Sequence, residues 1–185
     1  MALYFVTGNK NKLHELKKIL DIEIESITFD IPEIQGEPYD IIIEKAKYIA
    51  NKTQKRILVE DTSLCFNALG SMPGPYVKSF MEKIGSEGLY KMLESFDDKT
   101  CYALCLFAYC EPDNDPIIFE GKCSGTVVRP YYDENGKNPG FGWDNIFQPE
   151  NYDKTFAELY NDVKNKISHR YLALQKLSNF LKHNF

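Results

Sequence analysis

The chain has 185 residues, 43% of them hydrophobic, 14% aromatic and 26% charged, the make-up of a globular protein able to bury a core rather than of a disordered segment. A formal charge of -5 works against non-specific nucleic-acid binding, which draws on a broad basic surface, so any anionic ligand has to be held by a local cluster of cations. The longest apolar run, residues 102–110, is far short of the roughly 20 residues that cross a bilayer, and residues 2–6 are too short and wrongly flanked for a secretory signal, which predicts a cytoplasmic protein with neither membrane nor nucleic acid as partner.

In chain order, residues 3–7 read as a strand, and Asn9 as the N-cap of a helix on which Leu13, Leu16 and Leu20 recur at helical spacing. Residues 23–29 alternate as a half-buried strand, and "DIPEIQGEPYD" is a loop broken by Pro32, Gly36 and Pro38. A second helix is expected over 40–52, with Ile41, Lys45 and Tyr48 about a turn apart. "RILVEDTSLCF" brings a short buried strand, 57–59, to a pair of acids at a turn. The stretch "GSMPGPYVKSFMEKIG" is a turn feeding a helix that carries Lys78, and "GLYKMLESF" is another short helix. Strand and helix in alternation indicate an α/β class. From Thr100 two long β-rich runs, "TCYALCLFAYC" and "PIIFEGKCSGTVV", flank the polar turn "EPDND" and read as a hairpin in a mixed sheet. A long loop, "RPYYDENGKNPGFGWDNIF", follows, and the last helix begins near His169 with Ser168 as its cap. The five cysteines form no C-x-x-C pair and lie mostly in apolar runs, where a reduced thiol packs as a small hydrophobe.

Four stretches carry groups that could do chemistry. "VTGNKNKLHEL" places Lys10 and Lys12 at the start of a helix, whose unpaired N–H groups are already positive, against the sense of the helix dipole; an anion at this corner would offset the conflict. It is not a P-loop, because G-x-x-x-x-G-K-[ST] is absent. Glu60 and Asp61 end a buried strand, where a carboxylate can hold Mg²⁺ or take a proton from water; Asp61 is expected to face the site more directly, and Glu33 could supply a second oxygen. "FGWD" at 141–144 offers aromatic stacking surfaces, a glycine that permits close approach and an acceptor in Asp144. "KNKISHR" again sets positive groups at a helix start, and Ser168 and Arg170 converge better if Ser168 caps a new helix than if one helix runs through both. Two breaches of one local rule in one chain point to an anionic or acceptor-rich ligand.

These stretches, in this order, resemble the inosine triphosphate pyrophosphatase family. The matching segments are "VTGNKNKLHEL", "IPEIQGEP", "VEDTSLCFNALGSMPGPYVK", "DKTCYALC", "FGWDNIFQP", "KTFAEL" and "KNKISHRYLAL", and the third looks most like the eukaryotic branch. One departure stands before "KN": this chain reads "AELYNDVKN" where the family usually has a proline and an acidic residue. The resemblance implies a single domain over residues 1–185, with an elongated mixed sheet and flanking helices in two lobes around a central nucleotide cleft, usually as a homodimer. It implies hydrolysis of non-standard purine nucleoside triphosphates (ITP, dITP, XTP) to the monophosphate and pyrophosphate with Mg²⁺, for which Mn²⁺ could substitute. Carried over by position, Lys12 and Asp61 would be catalytic, and Glu33 and Asp61 would bind the metal. The substrate would be held by Thr7, Gly8, Asn9, Lys10, Asn11, Lys12, Lys45, Asp61, Thr62 and Lys78, with Phe141, Gly142, Trp143, Asp144, Lys164, Ser168, His169 and Arg170 around the base. The rival readings are a septum-formation-type nucleotide pyrophosphatase and a nucleotide-binding regulatory module without catalysis.

Overall fold

The computed structural model of the chain describes residues 2–8, 12–13, 16–17, 20, 24–31 and 34–184. Among these, an unbroken apolar run makes the first strand. Leu3–Val6 (β1) pairs in parallel with Glu25–Ile27 (β2), Tyr4 opposite Glu25, and with Arg56–Phe66 (β3), Phe5 opposite Leu58. Parallel strands need a crossover connection, and between β2 and β3 it is the helix Pro38–Thr53 (α1). Its start is favoured by a proline in the first turn and by Asp40 at the positive end of the dipole. It stops at Gln54, which turns left-handed (φ 53°) and donates its N–H to Ala50 O.

The remaining strands are Pro73–Gly74 (β4), Thr100–Cys110 (β5), Ile117–Val127 (β6) and Phe147–Pro149 (β7). They complete a seven-stranded mixed sheet in the order β2-β1-β3-β5-β6-β7, with β4 antiparallel to β3. The short connection between β5 and β6 leaves no room for a crossover, as a hairpin requires. The expected short strand at 57–59 is an eleven-residue strand that runs through both acids to Phe66.

Further helices among the described residues are Val77–Met92 (α2), Asn161–Ile167 (α3) and His169–Asn184 (α4). Gly85 interrupts α2 with φ 64° and ψ -175°, a conformation that a residue with a Cβ adopts only under strain, so the span is two helices meeting at a kink, in line with the two expected here. Ser168 is extended (φ -66°, ψ 149°) between α3 and α4, as an N-cap residue is, and this rules out one helix through "KNKISHR".

The residues group into two compact units, one of Met1–Asp61, Cys105–Gly121 and Arg170–Phe185 and the other of Thr62–Leu104 and Lys122–His169. The core of the first joins Leu3, Phe5, Leu58 and Phe107 to Ala173, Leu174, Leu177 and Leu181, which recur on one face of α4. The core of the second gathers Leu64, Phe66, Leu89, Ala103, Val127 and Ile146 around Trp143, Phe147 and Phe156. Phe147 lies 5.6 Å from Trp143 and 4.7 Å from Phe156 between ring centroids, within the range of favourable aromatic pairs.

Candidate active site

Within the first unit, β3 carries Glu60 into the interior, where it is 5% exposed. An isolated carboxylate there would be costly to desolvate, and two cations from distant parts of the chain offset that cost. Oε1 of Glu60 accepts from both Nε (3.0 Å) and Nη2 (2.9 Å) of Arg170, in the first turn of α4. Oε2 pairs with Nζ of Lys12 at 3.3 Å. The Cys105 thiol, from β5, lies 3.6 Å from Oε1, and burial, then the Glu60 charge, push that thiol well above its ordinary range. Among the described residues one carboxylate thus stands between two cations, in a chain whose overall charge is negative.

Asp61 follows on the same strand and is half-buried. It therefore sits on a rigid ladder and not at a turn. Thr7 directly follows β1, its N–H donating to Ile27 O at 3.0 Å, and Gly8 is exposed next to it. Lys12 has helical backbone. Lys45 is half-buried on α1, and Lys78 is exposed at the start of α2, a third cation at a helix N-terminus. Asn9, Lys10, Asn11 and Glu33 lie outside the described residues. Among the described residues no three His, Cys, Asp or Glu side chains converge as a ready metal cage.

The second unit assembles the aromatic loop. Asp144, 5% exposed, accepts on Oδ2 from the Phe141 N–H at 2.7 Å and from Lys164 Nζ at 2.5 Å. Its own N–H donates to Phe141 O at 3.1 Å. The loop is tied again by Asn138, whose Nδ2 donates to Gly142 O (2.7 Å) and whose Oδ1 accepts from Gly140 N (2.8 Å). Gly140 is required sterically, since a Cβ there would stand 2.5 Å from Asp144 Cβ and 2.9 Å from Ala157 Cβ.

The two aromatics of "FGWD" have different surroundings. Trp143 is turned into the core against Phe147 and, at 5.4 Å between centroids, His169. The His169 ring stacks on Phe156 at 6.2 Å with 18° between planes. Phe141 is 56% exposed and is the ring of the pair that is open to solvent. Lys164, on α3, also lies 5.4 Å from the Phe156 ring centroid, so the residue at the departure before "KN" is placed by Asp144 and an aromatic face. Ser168 and His169 are buried.

Sequence reasoning offered Glu60 only alongside Asp61, as a metal-holding or proton-accepting carboxylate and not as the partner of two cations, and it missed Asn138, Gly140 and Phe156. The signal for Glu60 was available in the continued apolar pattern "SLCF" after the acids, which marks a strand passing through them rather than ending at them.

The chain matches the Ham1 family model over residues 3–180. It is 48% identical to the inosine triphosphate pyrophosphatase of Batrachochytrium dendrobatidis, over 98% of this chain and 94% of that protein. Among solved structures it is similar to a HAM1 protein from Coxiella burnetii, with TM-score 0.87 and 31% identity over 99% of this chain and 100% of that one. The Staphylococcus aureus Ham1 protein gives TM-score 0.82 and 26% identity, with both chains covered completely. A nucleoside-triphosphatase, or dITP/XTP pyrophosphatase, from Mycobacterium abscessus gives 0.77 and 25% over 96% of this chain and 98% of that one. With a family model matched over almost all of its length, this chain belongs to the Ham1 family.

Proposed function

We propose that the protein hydrolyses non-standard purine nucleoside triphosphates, ITP, dITP and XTP, to the nucleoside monophosphate and pyrophosphate. The whole-length likeness to the Batrachochytrium inosine triphosphate pyrophosphatase carries this reading, and the cationic groups at helix starts agree with a polyanionic substrate.

Lys12, Lys45 and Lys78, with Thr7, Gly8, Asn9, Lys10, Asn11 and Thr62, hold the triphosphate. Asp61 takes the proton of the water that cleaves the anhydride between the α and β phosphates, and pyrophosphate leaves with the bridging oxygen. Lys12 stabilises the charge that grows on that oxygen, as a positioned cation does. Asp61 offers the hard oxygen that Mg²⁺ prefers, and this metal keeps most of its ligands as water and phosphate oxygens, so a single protein carboxylate among the described residues fits it. Asp61 and Glu33 are its protein ligands in this reading. Mg²⁺ or Mn²⁺, when bound, would supply neutralisation of phosphate charge.

At the other end of the substrate, Phe141 stacks on the base while Gly142, Trp143, Asp144, Lys164, Ser168 and His169 shape its surroundings. Arg170 donates to O6. Hypoxanthine presents O6 as an acceptor and N1–H as a donor, whereas adenine inverts both, so a buried donor facing the adenine amino group costs about 1 to 3 kcal/mol. The enzyme works in the cytoplasm as a homodimer; among the described residues no helix is long and apolar enough to cross a membrane.

The test is a panel of nucleoside triphosphates with Mg²⁺, scored for pyrophosphate rather than phosphate. ITP, dITP and XTP should be cleaved well ahead of ATP, and equal cleavage of ATP and ITP would refute the account of base choice. Asp61→Asn should lower turnover by roughly 10²- to 10⁴-fold, and near-normal turnover in that variant would remove Asp61 from the catalytic role.

A further inference from the structure

We infer that Glu60 is a specificity-determining positioning residue, which fixes Arg170 for base reading with one carboxylate oxygen while its other oxygen holds Lys12. The inference rests on the nucleotide reading above. The two oxygens are divided between two cations: Oε1 takes Nε and Nη2 of Arg170 at 3.0 and 2.9 Å, and Oε2 takes Lys12 at 3.3 Å. The carboxylate is itself held on the interior of an eleven-residue strand, so the guanidinium is anchored to the sheet and not merely to another mobile side chain.

Rigidity decides whether an arginine can discriminate at all. A donor rejects the adenine amino group only if it has nowhere else to go, because the penalty is that of a donor left unpaired. An arginine able to rotate would swing away and bond to water, and the penalty would vanish. Two N–H groups bound to one buried oxygen remove that escape. The same carboxylate links the group assigned to the phosphates with the group assigned to the base, so loss of its charge should disturb both ends of the substrate, while Asp61, which is not among its partners here, keeps its place.

The test compares Glu60→Gln and Glu60→Asp with the wild-type protein in two readouts. The first is the ratio of kcat/KM for ITP to that for ATP. The second is the ratio of affinities for inosine and adenosine monophosphates without metal, measured by calorimetry. In Glu60→Gln both ratios should fall at least about tenfold, the scale set by one unpaired buried group. Glu60→Asp, with the charge kept but drawn back by one methylene, should restore part of the loss. A purely structural role would lower activity towards both triphosphates by the same factor. The proposal is overturned if Glu60→Gln melts cooperatively and keeps both ratios within twofold of wild type, or if the wild-type protein binds the two monophosphates alike. If Glu60→Gln does not fold, Glu60→Asp decides, and an unchanged ratio there overturns the proposal. A wild-type protein that prefers inosine monophosphate but releases no pyrophosphate would refute the hydrolase reading alone, with the Glu60 comparison still decided by the binding ratio.

Discussion

Replacing Lys164 with methionine keeps the length and apolar stem of the side chain and removes only its charge. In the wild-type protein the ammonium lies 2.5 Å from Oδ2 of Asp144, and the two side chains are 22% and 7% exposed. At that separation an effective dielectric of about 20 gives a gross attraction of about 7 kcal/mol. Desolvating each ion costs several kcal/mol, which removes much of that. Taking away the lysine leaves the aspartate buried with its Phe141 N–H bond but without its counter-charge. Breaking a fully buried pair in this way costs about 3 to 5 kcal/mol, and the partial exposure of Lys164 reduces the expected loss to about 2 to 3. For a chain of this length that is a fall of roughly 4 to 12 °C in melting temperature. Asp144→Asn, which keeps an acceptor for the Phe141 N–H, should cost less. The double variant should lose less than the sum of the two, with a coupling energy of at least about 1.5 kcal/mol by urea denaturation. Additive losses, within about 0.5 kcal/mol, would refute the view that this pair holds the aromatic loop.

Burial pushes the Cys123 thiol up to about 11, and burial likewise raises Cys101 and Cys105. A thiol in the unfolded chain ionises near 8.5, so the native state is favoured below that value and loses stability as pH rises through the folded value. Urea midpoints should therefore decline between about pH 9 and 11, and Cys123→Ala should make the decline shallower; an identical pH profile in that variant would refute the assignment. Asn145 is 0% exposed, and neither atom of its amide finds a hydrogen-bond partner among the described residues. Since such a group costs about 1 to 3 kcal/mol, Asn145→Leu should raise the melting temperature, and a lower value would show that the amide is satisfied in solution.

Much of the fold was legible because it is local. The alternation of strand and helix, the β5–β6 hairpin and the break before α4 all follow from short-range pattern and turn chemistry. For α1 the helix was legible but its buried face was not assigned: Ile41, Lys45 and Tyr48 recur at helical spacing, and the core takes Ile42, Ala46, Ile49 and Ala50. Both sets have helical periodicity, and only the packing of the sheet chooses between them. The truncation of β3 has a non-local cause. Glu60 is tolerated in the middle of a strand because Arg170, 110 residues away, is bonded to it, together with Lys12, and nothing near position 60 announces either partner. The short helix α3 buries no residue fully and so left no apolar periodicity to detect. In the site, the chemical types of Asp144 and Lys164 were readable, whereas their pairing across 20 positions was not.

Strands β3, β5 and β6 each give residues to both compact units, so that one unit consists of three separate stretches of chain and the other of two. No single cut in the polypeptide, and no deletion at one end of the gene, can therefore yield either unit whole. Proteolytic nicking at one loop should leave fragments that remain associated or unfold together rather than releasing an independent domain. Recombination faces the same barrier: a unit cannot be exchanged with that of a relative by swapping one contiguous segment, and inheritance of the two halves has to be joint.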